Sequence, residues 1–301
     1  MRVAALDIGT NTARVLLAEA GATGAVVEVA LESRVCGLGR GIDASGRLAD
    51  DAIARALDAL AGFRPIIDRA ERVQIVATSA SRDATNRESF FDQVEAVTGH
   101  RPELISGEAE AGFAFTGATS WRDRSTSACV VDIGGGSTEF VFGFDRPGYA
   151  ISVDMGSVRL TDRLLLERPV TQVDLEEARS QVREAFATVS LPAEPATVIG
   201  VAGSCTSVAA MCSGLEHYDR ARVHGAQVSA GDVDALVERL ASMSLSETER
   251  IPALEPARAP VILGGALVLA GVFDTLGIEQ MIVSERDLLH GVAAALLAQS
   301  T

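Results

Sequence analysis

Residues 3–18 read VAALDIGTNTARVLLA, and residues 129–143 read CVVDIGGGSTEFVFG. In each stretch an apolar, β-rich run ends in an aspartate, Asp7 or Asp132, and continues through Ile-Gly and a small polar turn into a second β-rich run. The residue alternation and the turn signals predict a β-hairpin with an aspartate at the end of its first strand. Two such copies in one chain predict a duplicated domain.

The rest of the chain fits two domains built on these hairpins. Its 301 residues are too many for one small core. Strand patterns alternate with helical patterns in both halves, which predicts mixed sheets covered by helices and hence an α/β fold. Because the polar stretch 119–128 precedes the second hairpin, we place an N-terminal domain at residues 1–118 and a C-terminal domain at residues 119–301.

The composition excludes several classes of function. All 26 basic residues are arginine, so no lysine can serve a Walker A motif, a kinase β3 strand or a Schiff base. The net charge of -15 disfavours nucleic acid and anionic membranes as partners. The first apolar run is too short for a signal peptide, and the longest, between Pro260 and Asp274, fits a buried core helix better than a membrane span. We expect a cytoplasmic protein.

Three glycine-rich segments follow predicted strands, at residues 7–12, 132–138 and 203–206. Glycine lets the backbone turn sharply and point successive N–H groups at one anion, and serine and threonine hydroxyls add donors. A carboxylate beside a phosphate requires a cation between them, which predicts Mg²⁺, with Mn²⁺ as the alternative. The predicted phosphate-binding residues are Gly9, Thr10, Asn11, Thr12, Arg14, Gly134, Gly135, Gly136, Ser137, Thr138, Gly203 and Ser204.

Two segments between the hairpins carry further charged candidates. Residues 77–86 (ATSASRDATN) follow a strand and open a helix, where hydroxyls and Arg82 can bind an anion, although ordinary helix capping explains the same pattern. Glu108 and Glu110 fall in the first turn of the next helix, where spacing alone indicates only stabilisation of the helix dipole. Residues 37–41 (GLGRG) lack the spacing of a dinucleotide-binding motif and predict a surface loop.

At these residues, and in order along residues 1–298, the chain resembles the exopolyphosphatase and guanosine pentaphosphate phosphohydrolase (Ppx/GppA) family. The two DIG loops alone indicate only the broader superfamily of sugar kinases, Hsp70 and actin, whereas the segments TSASR and SGEAE between them specify this family. The resemblance rests on DIGTNTAR, ATSASRDATN, ISGEAEAGFAFTG, DIGGGSTE, MGSVRLTD, GVAGSCTS, the His224-Gly225 pair, ERIPALEPARAPVILGGA and VSERDLLHG. It implies two actin-like domains facing each other across a cleft, a last helix packed back on the first domain, and a homodimer.

The resemblance also implies roles for the charged residues. The family motif Ser-Gly-x-Glu-Glu-Ala places its water-activating base at Glu110, whereas its first glutamate is replaced here by Ala109. Arg82 matches the family's phosphate-contacting arginine and joins Glu110 as the catalytic pair. The acids matching the family's metal and phosphate site are Asp7, Asp132 and Glu139.

The reaction that this resemblance implies is metal-dependent hydrolysis of the terminal phosphate of inorganic polyphosphate by water that Glu110 activates. Short chains are the expected substrates, because an acidic protein without lysine offers a long polyanion no continuous cationic track. Guanosine pentaphosphate is the alternative substrate. A non-catalytic sensor of guanosine polyphosphates would keep the loops without needing a base, and an ATP-dependent sugar or acid kinase would share the DIG loops but not the Glu110 segment.

Overall fold

The computed structural model describes residues 1–21, 24–123 and 125–299. Its internal contacts divide the chain into two compact units. Unit 1 comprises Met1–Arg122 and Arg286–Thr301, and unit 2 comprises Asp123–Glu285. The last segment of the chain therefore belongs to the same unit as the first strand.

Unit 1 is built on a five-stranded mixed sheet. Its strands are β1 (Arg2–Ile8), β2 (Thr12–Ala20), β3 (Val26–Val35), β4 (Arg72–Ala77) and β5 (Glu103–Leu104). They lie in the order β3-β2-β1-β4-β5. The pairs β1–β2 and β2–β3 are antiparallel, and the pairs β1–β4 and β4–β5 are parallel. The predicted first hairpin is confirmed as β1–β2, and Asp7 lies one residue before the end of β1.

Helices connect the strands of unit 1 and cover its sheet. They are α1 (Ile42–Ser45), α2 (Asp50–Gly62), α3 (Arg64–Ile67), α4 (Ser79–Asp83), α5 (Arg87–Thr98) and α6 (Gly107–Ala118). α4 begins directly after β4 and α6 directly follows β5, so both start near the carboxyl ends of parallel strands. Polar side chains at those helix starts are therefore brought towards the end of β1 that carries Asp7.

Unit 2 repeats the plan on a six-stranded mixed sheet. Its strands are β6 (Ala128–Ile133), β7 (Thr138–Gly143), β8 (Pro147–Val153), β9 (Thr197–Val201), β10 (Gln227–Ser229) and β11 (Gln280–Val283). The order is β10-β11-β9-β6-β7-β8, with β6, β7 and β8 antiparallel in sequence and β9 parallel to β6. The second predicted hairpin is thus confirmed as β6–β7, and the duplication extends to a third antiparallel strand and a parallel one in each unit.

The helices of unit 2 surround one long apolar helix. In chain order they are α7 (Ser157–Leu164), α8 (Gln172–Phe186), α9 (Ala202–Cys212), α10 (Arg220–Val223), α11 (Ala230–Ser242), α12 (Leu245–Thr248), a 3₁₀ turn (Pro256–Arg258) and α13 (Ala259–Leu276). By length and composition alone α13 and the turn before it could cross a membrane, but 78% of the apolar window is buried inside the protein. α13 packs against α7, α8, α9 and α11, as the sequence predicted for a core helix.

The final helix, α14 (Leu288–Ala298), covers the second face of the sheet in unit 1. Alternate residues of β1 point to opposite faces: Leu6 and Ile8 join a core with α2 and α5, whereas Val3 and Ala5 join one with α6 and α14. Burial on both faces explains why β1 is apolar throughout rather than alternating.

Candidate active site

The first glycine-rich segment is the tight turn between β1 and β2. The N–H of Gly9 donates to the carbonyl of Thr12 at 3.0 Å. A Cβ at Gly9 would lie 3.1 Å from that carbonyl oxygen, so the close approach favours glycine. Thr10 and Asn11 at the tip are buried. These residues therefore form one closed turn, which we call loop 1.

Loop 1 is held from outside by residues 36–41, here called the 36–41 loop. The N–H groups of Cys36 and Gly37 donate to the carbonyl of Asn11 at 2.8 and 2.9 Å. The N–H of Gly39 donates to the carbonyl of Thr10 at 2.7 Å. A Cβ at Gly39 would lie 2.3 Å from the Thr10 methyl group. The predicted surface loop is therefore wrong for residues 37–39, which are buried where the N–H groups of Gly37 and Gly39 serve buried carbonyls, while Arg40 at the tip is exposed.

Arg14 is bound by two carboxylates. It faces Asp7 in register across the hairpin, and its Nη2 donates to Asp7 Oδ2 at 2.7 Å, while its Nη1 donates to Asp287 Oδ2. Burial opposes the charge of Arg14, but Asp287 and Asp7 raise its pKa above the ordinary value. Burial also raises the pKa of Asp7, against the effect of Arg14. Arg14 thus fixes the orientation of the Asp7 carboxylate, and its predicted contact with phosphate stays a prediction.

Asp287 and His290 are residues of this network that sequence reasoning missed. Asp287 caps α14 by accepting from the N–H of Leu289 at 3.1 Å, and its own N–H donates to Nδ1 of His290 at 3.3 Å. The buried His290 contacts Glu28 Oε1 through Nε2 at 3.0 Å. Burial acts against ionisation of Asp287, but Arg14 and His290 lower its pKa below the ordinary value. The sequence signal that could have found them is an aspartate followed three residues later by a histidine at a helix start. That spacing indicates a helix cap, but it does not show that Arg14 or Glu28 is a partner.

Glu110 and Arg82 form a partly buried ion pair in unit 1. Arg82 Nη1 donates to Glu110 Oε2 at 2.8 Å and to the carbonyl of Ile105 at 3.0 Å. Burial raises the pKa of Glu110 to about 6, with Arg82 opposing the shift and the charge of Asp7 adding to it. Glu108, two residues earlier on α6, is exposed. Because residues two apart on a helix point to different sides, Glu110 is buried while Glu108 points to solvent.

The second glycine-rich segment, in unit 2, closes in the same way as loop 1. The N–H of Gly134 donates to the carbonyl of Ser137 at 3.0 Å, and the start of α7 packs on it through N–H groups that donate to the carbonyls of Gly134 and Gly135. The hydroxyl of Thr138 donates to the carbonyl of Met155 at 2.6 Å. Arg159, which sequence reasoning missed, donates to the carbonyl of Gly136 at 2.8 Å. We call this turn loop 2.

Asp132 and Glu139 face each other in register across the β6–β7 hairpin. They are 6% and 1% exposed, and Ser152 donates to Glu139 Oε1 at 2.7 Å. Opposed residues of an antiparallel pair lie on one face, with Cβ atoms about 5 Å apart. Glu139 occupies the register position that Arg14 occupies in unit 1, so the residue opposite the acid of loop 2 is a second acid, whereas the residue opposite Asp7 is an arginine.

This pair fits a magnesium ion. Mg²⁺ is commonly held by one or two carboxylates together with waters and phosphate oxygens rather than by a protein cage. The described residues contain no group of three or more His, Cys, Asp and Glu side chains that could hold a metal, so waters and phosphate oxygens would have to complete the coordination of an ion at this pair. In unit 1 the Oδ1 atom of Asp7 is buried and has no hydrogen-bond partner among the described residues, so it also offers an acceptor.

The third glycine-rich segment is a helix start. α9 begins at Ala202, so the loop predicted at residues 203–206 is wrong; Ala202 takes a φ of 66° and the helix follows β9 without a connection. A Cβ at Gly203 would lie 2.0 Å from Nη1 of Arg258, so this arginine lies directly over the helix start. Its Nε donates to Glu255 at 3.1 Å. Arg258 is a cation beside Gly203 and Ser204 that the sequence pattern did not reveal, because it lies more than fifty residues further along the chain.

Cys205 in the same turn is not a nucleophile. It is fully buried, and burial together with the charge of Asp132 raises the pKa of its thiol. The thiol therefore stays protonated near neutral pH, and thiolate is the reactive form.

Comparison with known proteins covers nearly the whole chain. The model of the Ppx/GppA phosphatase family matches residues 18–300. Exopolyphosphatase 2 of Mycobacterium tuberculosis is 39% identical over 98% of this chain and 98% of its own. A guanosine-5'-triphosphate,3'-diphosphate pyrophosphatase of Aeromonas hydrophila is 27% identical over 99% of this chain and 60% of its own. The crystal structure of an exopolyphosphatase-like protein superimposes with a TM-score of 0.93 at 36% identity, covering 99% and 98% of the two chains. The expected fold of two actin-like α/β domains is thereby confirmed.

Proposed function

We propose that this chain, which belongs to the Ppx/GppA phosphatase family, is an exopolyphosphatase that releases the terminal phosphate of inorganic polyphosphate. The chain is a phosphoric anhydride hydrolase. The observation that carries the proposal is the buried Glu110 with a pKa of about 6, held by Arg82 beside loop 1. A kinase would need an acceptor site as well as a base for the acceptor hydroxyl, so it is the family match together with this pair that favours hydrolysis.

Glu110 acts as the general base. With a pKa of about 6 it is mostly ionised at pH 7 and still basic enough to take a proton. The oxygen of water bonds to the terminal phosphorus, the proton of the water passes to Glu110, and the bridging P–O bond breaks. The products are orthophosphate and a chain one phosphate shorter. Arg82 orients the carboxylate and offers its remaining N–H groups to the phosphate oxygens.

Backbone donors and cations hold the phosphate. Loop 1 and loop 2 each place small residues in a closed turn whose N–H groups can meet an anion. Arg258, whose Nε is bonded to Glu255, brings its Nη1 donor over the positive end of α9. In unit 2, Asp132 and Glu139 would hold Mg²⁺ or Mn²⁺, and in unit 1 Asp7 stays the further acid that the sequence predicted. When bound, that ion neutralises phosphate charge as it builds up in the transition state.

Asp132→Asn and Glu139→Gln are expected to raise the Mg²⁺ concentration for half-maximal activity about tenfold or more, because each loses a charged oxygen ligand or its water-mediated equivalent. The measurement is a Mg²⁺ titration of phosphate release. Asp154→Asn removes an equal charge at an exposed position of unit 2 and is the matched control. An unchanged midpoint in both variants would remove the two acids from the metal site.

A phosphate-release panel tests the reaction itself. The purified protein is assayed with inorganic polyphosphates of several lengths, guanosine pentaphosphate and ATP, with Mg²⁺, with Mn²⁺ and with chelator. We expect the highest kcat/KM with inorganic polyphosphate. A higher value with guanosine pentaphosphate would make this chain a 5'-phosphohydrolase, the activity that the name of the Aeromonas relative describes. Metal-independent binding without release from any substrate would make it a sensor.

Short chains are expected to react with higher kcat/KM per chain end than long ones. The net charge is -15 and the chain has no lysine, so positive charge near the reacting phosphate comes from a few arginines and the distal phosphates of a long chain meet an acidic surface. The comparison uses equal concentrations of chain ends at low and moderate salt, with the oligomeric state measured under assay conditions because a dimer can join two arginine patches. A preference for the long polymer that persists at moderate salt would contradict this expectation.

A further inference from the structure

The arginines of unit 1 that were predicted to contact phosphate are already held by carboxylates. Arg14 is paired with Asp7 and Asp287, and Arg82 is paired with Glu110. A guanidinium shared with an acid contributes little net positive charge to an incoming polyanion. The attraction of a phosphate chain to this unit therefore needs a cation that no carboxylate holds.

Arg40 is such a cation, and it lies beside loop 1. The Arg40 side chain lies over Gly37: a Cβ built at Gly37 would lie 2.9 Å from Arg40 Nε. Gly37 itself has a φ of 60° and donates its N–H to the carbonyl of Asn11. Arg40 is exposed, and its guanidinium has neither a hydrogen bond nor an ion pair to any residue that the structure describes. The loop is thus anchored at its base and presents an unpaired arginine at its tip.

We propose that Arg40 binds the phosphate that follows the reacting one along a linear phosphate chain. This makes it a residue that sets how many phosphates a substrate needs. The inference rests on the proposed function for the position of the reacting phosphate. The ligand chemistry is a short linear polyphosphate, which occurs both as the free inorganic chain and as the 5'-phosphates of a nucleotide.

The order of the two phosphates follows from burial around loop 1. Glu110 and Asp7 are 9% and 6% exposed, so the reacting phosphate, which the proposed base must reach, belongs at the buried end. Arg40 lies at the solvent-exposed tip of a loop in which Cys36, Gly37 and Gly39 donate to the carbonyls of Thr10 and Asn11. The unreacted part of a chain must lead from the buried end to solvent. An unpaired guanidinium with a planar fork suits a phosphate on that path.

Binding to a hydrolysis-deficient protein tests this role directly. In a Glu110→Gln background with Mg²⁺, calorimetry measures the Kd of inorganic tripolyphosphate and of orthophosphate, with and without Arg40→Gln. We expect Arg40→Gln to raise the Kd for tripolyphosphate about tenfold, the loss typical of one charge-assisted contact. The Kd for orthophosphate, which fills only the terminal position, should change less than about twofold. The slope of log Kd against log salt should also decrease.

Arg47→Gln is the matched control, because Arg47 is exposed in the same unit and its substitution removes the same charge. It should leave both Kd values unchanged, and a titration with guanosine pentaphosphate shows which source of the chain depends more on Arg40. The inference would be overturned if Arg40→Gln left the Kd for tripolyphosphate unchanged. It would also be overturned if the substitution raised the Kd for orthophosphate by the same factor. If tripolyphosphate binds through Arg40 but the protein with Glu110 intact releases no phosphate from it, the proposed reaction fails while this binding role stands.

Discussion

Glu110→Gln is expected to lower the turnover of polyphosphate hydrolysis by ~10²–10⁴, the range typical for loss of a general base. Glutamine keeps the size of the side chain and can still accept from Arg82, so the ion-pair geometry is largely preserved. It cannot take a proton from water. Substrate binding should therefore change little, and the loss should appear in kcat rather than in KM.

The pH profile gives a second readout of the same residue. The base works only when it is ionised, and burial raises the pKa of Glu110 to about 6. The kcat of the unmodified protein should therefore fall as pH decreases through about 6, while the residual kcat of Glu110→Gln should lack this acidic limb.

Glu108→Gln is the control for this prediction. Glu108 stands on the same helix and carries the same charge, but it is exposed. We expect its turnover and its pH profile to match those of the unmodified protein. Wild-type-like turnover in pure Glu110→Gln protein, or an equal loss in Glu108→Gln, would withdraw the base assignment.

The hairpins could be predicted because each carries its information locally. An apolar run, an aspartate, a glycine turn and a second run lie within about sixteen residues, and β1–β2 and β6–β7 form as that pattern indicates. The edge strands β3 and β8 were not predicted. Their residues are only partly buried, so they lack the continuous apolar run that identifies an interior strand.

The site could be predicted only where its signal was local. Glu110 and Arg82 were expected from their motifs, and their ion pair is what the structure adds. The pairing of Arg14 with Asp287 joins residues 273 positions apart, and Arg258 reaches Gly203 across α9 to α12. No periodicity or spacing rule reports contacts of that kind. The burial of residues 37–39 was missed for the same reason, since their donors serve the carbonyls of a distant turn.

The duplication has also diverged at a chemically decisive position. Counting seven residues on from the strand-end aspartate leads to Arg14 in the first repeat and to Glu139 in the second. The strand register places each of them opposite its aspartate. One hairpin therefore neutralises its own acid, whereas the other gathers two acids on one face. A divalent cation is consequently better suited to the second hairpin, although both copies share one backbone plan.

Gly117→Ala is expected to destabilise unit 1 by about 3 kcal/mol, the upper end of the usual range for overpacking. A Cβ at Gly117 would lie 1.9 Å from the backbone oxygen of Asp287. On the other side of the same contact, a Cβ at Gly291 would lie 2.0 Å from the carbonyl oxygen of Phe113. α6 and α14 therefore touch backbone to backbone, and no side-chain rotation can relieve the overlap.

The same substitution should also reduce activity in the protein that remains folded. α6 carries Glu110 near its start, and the residue that Gly117 contacts on α14 is Asp287, which holds Arg14 and through it Asp7. Separating the two helices shifts the base and the loop 1 acid relative to each other. A displacement of about 1 Å is enough to reduce turnover roughly 10²-fold.

The measurement is denaturant unfolding followed by tryptophan fluorescence. The chain has one tryptophan, Trp121, which lies in unit 1, so the signal reports on the unit that is altered. Gly112→Ala is the control: it is on the same helix, with nothing within 4 Å of the added Cβ, and should stabilise the helix by about 0.5–1 kcal/mol through its higher helix propensity. Opposite shifts of the two midpoints are expected because only one of the glycines faces a neighbouring backbone. Equal midpoints for Gly117→Ala and Gly112→Ala would show that the contact between α6 and α14 is not close-packed.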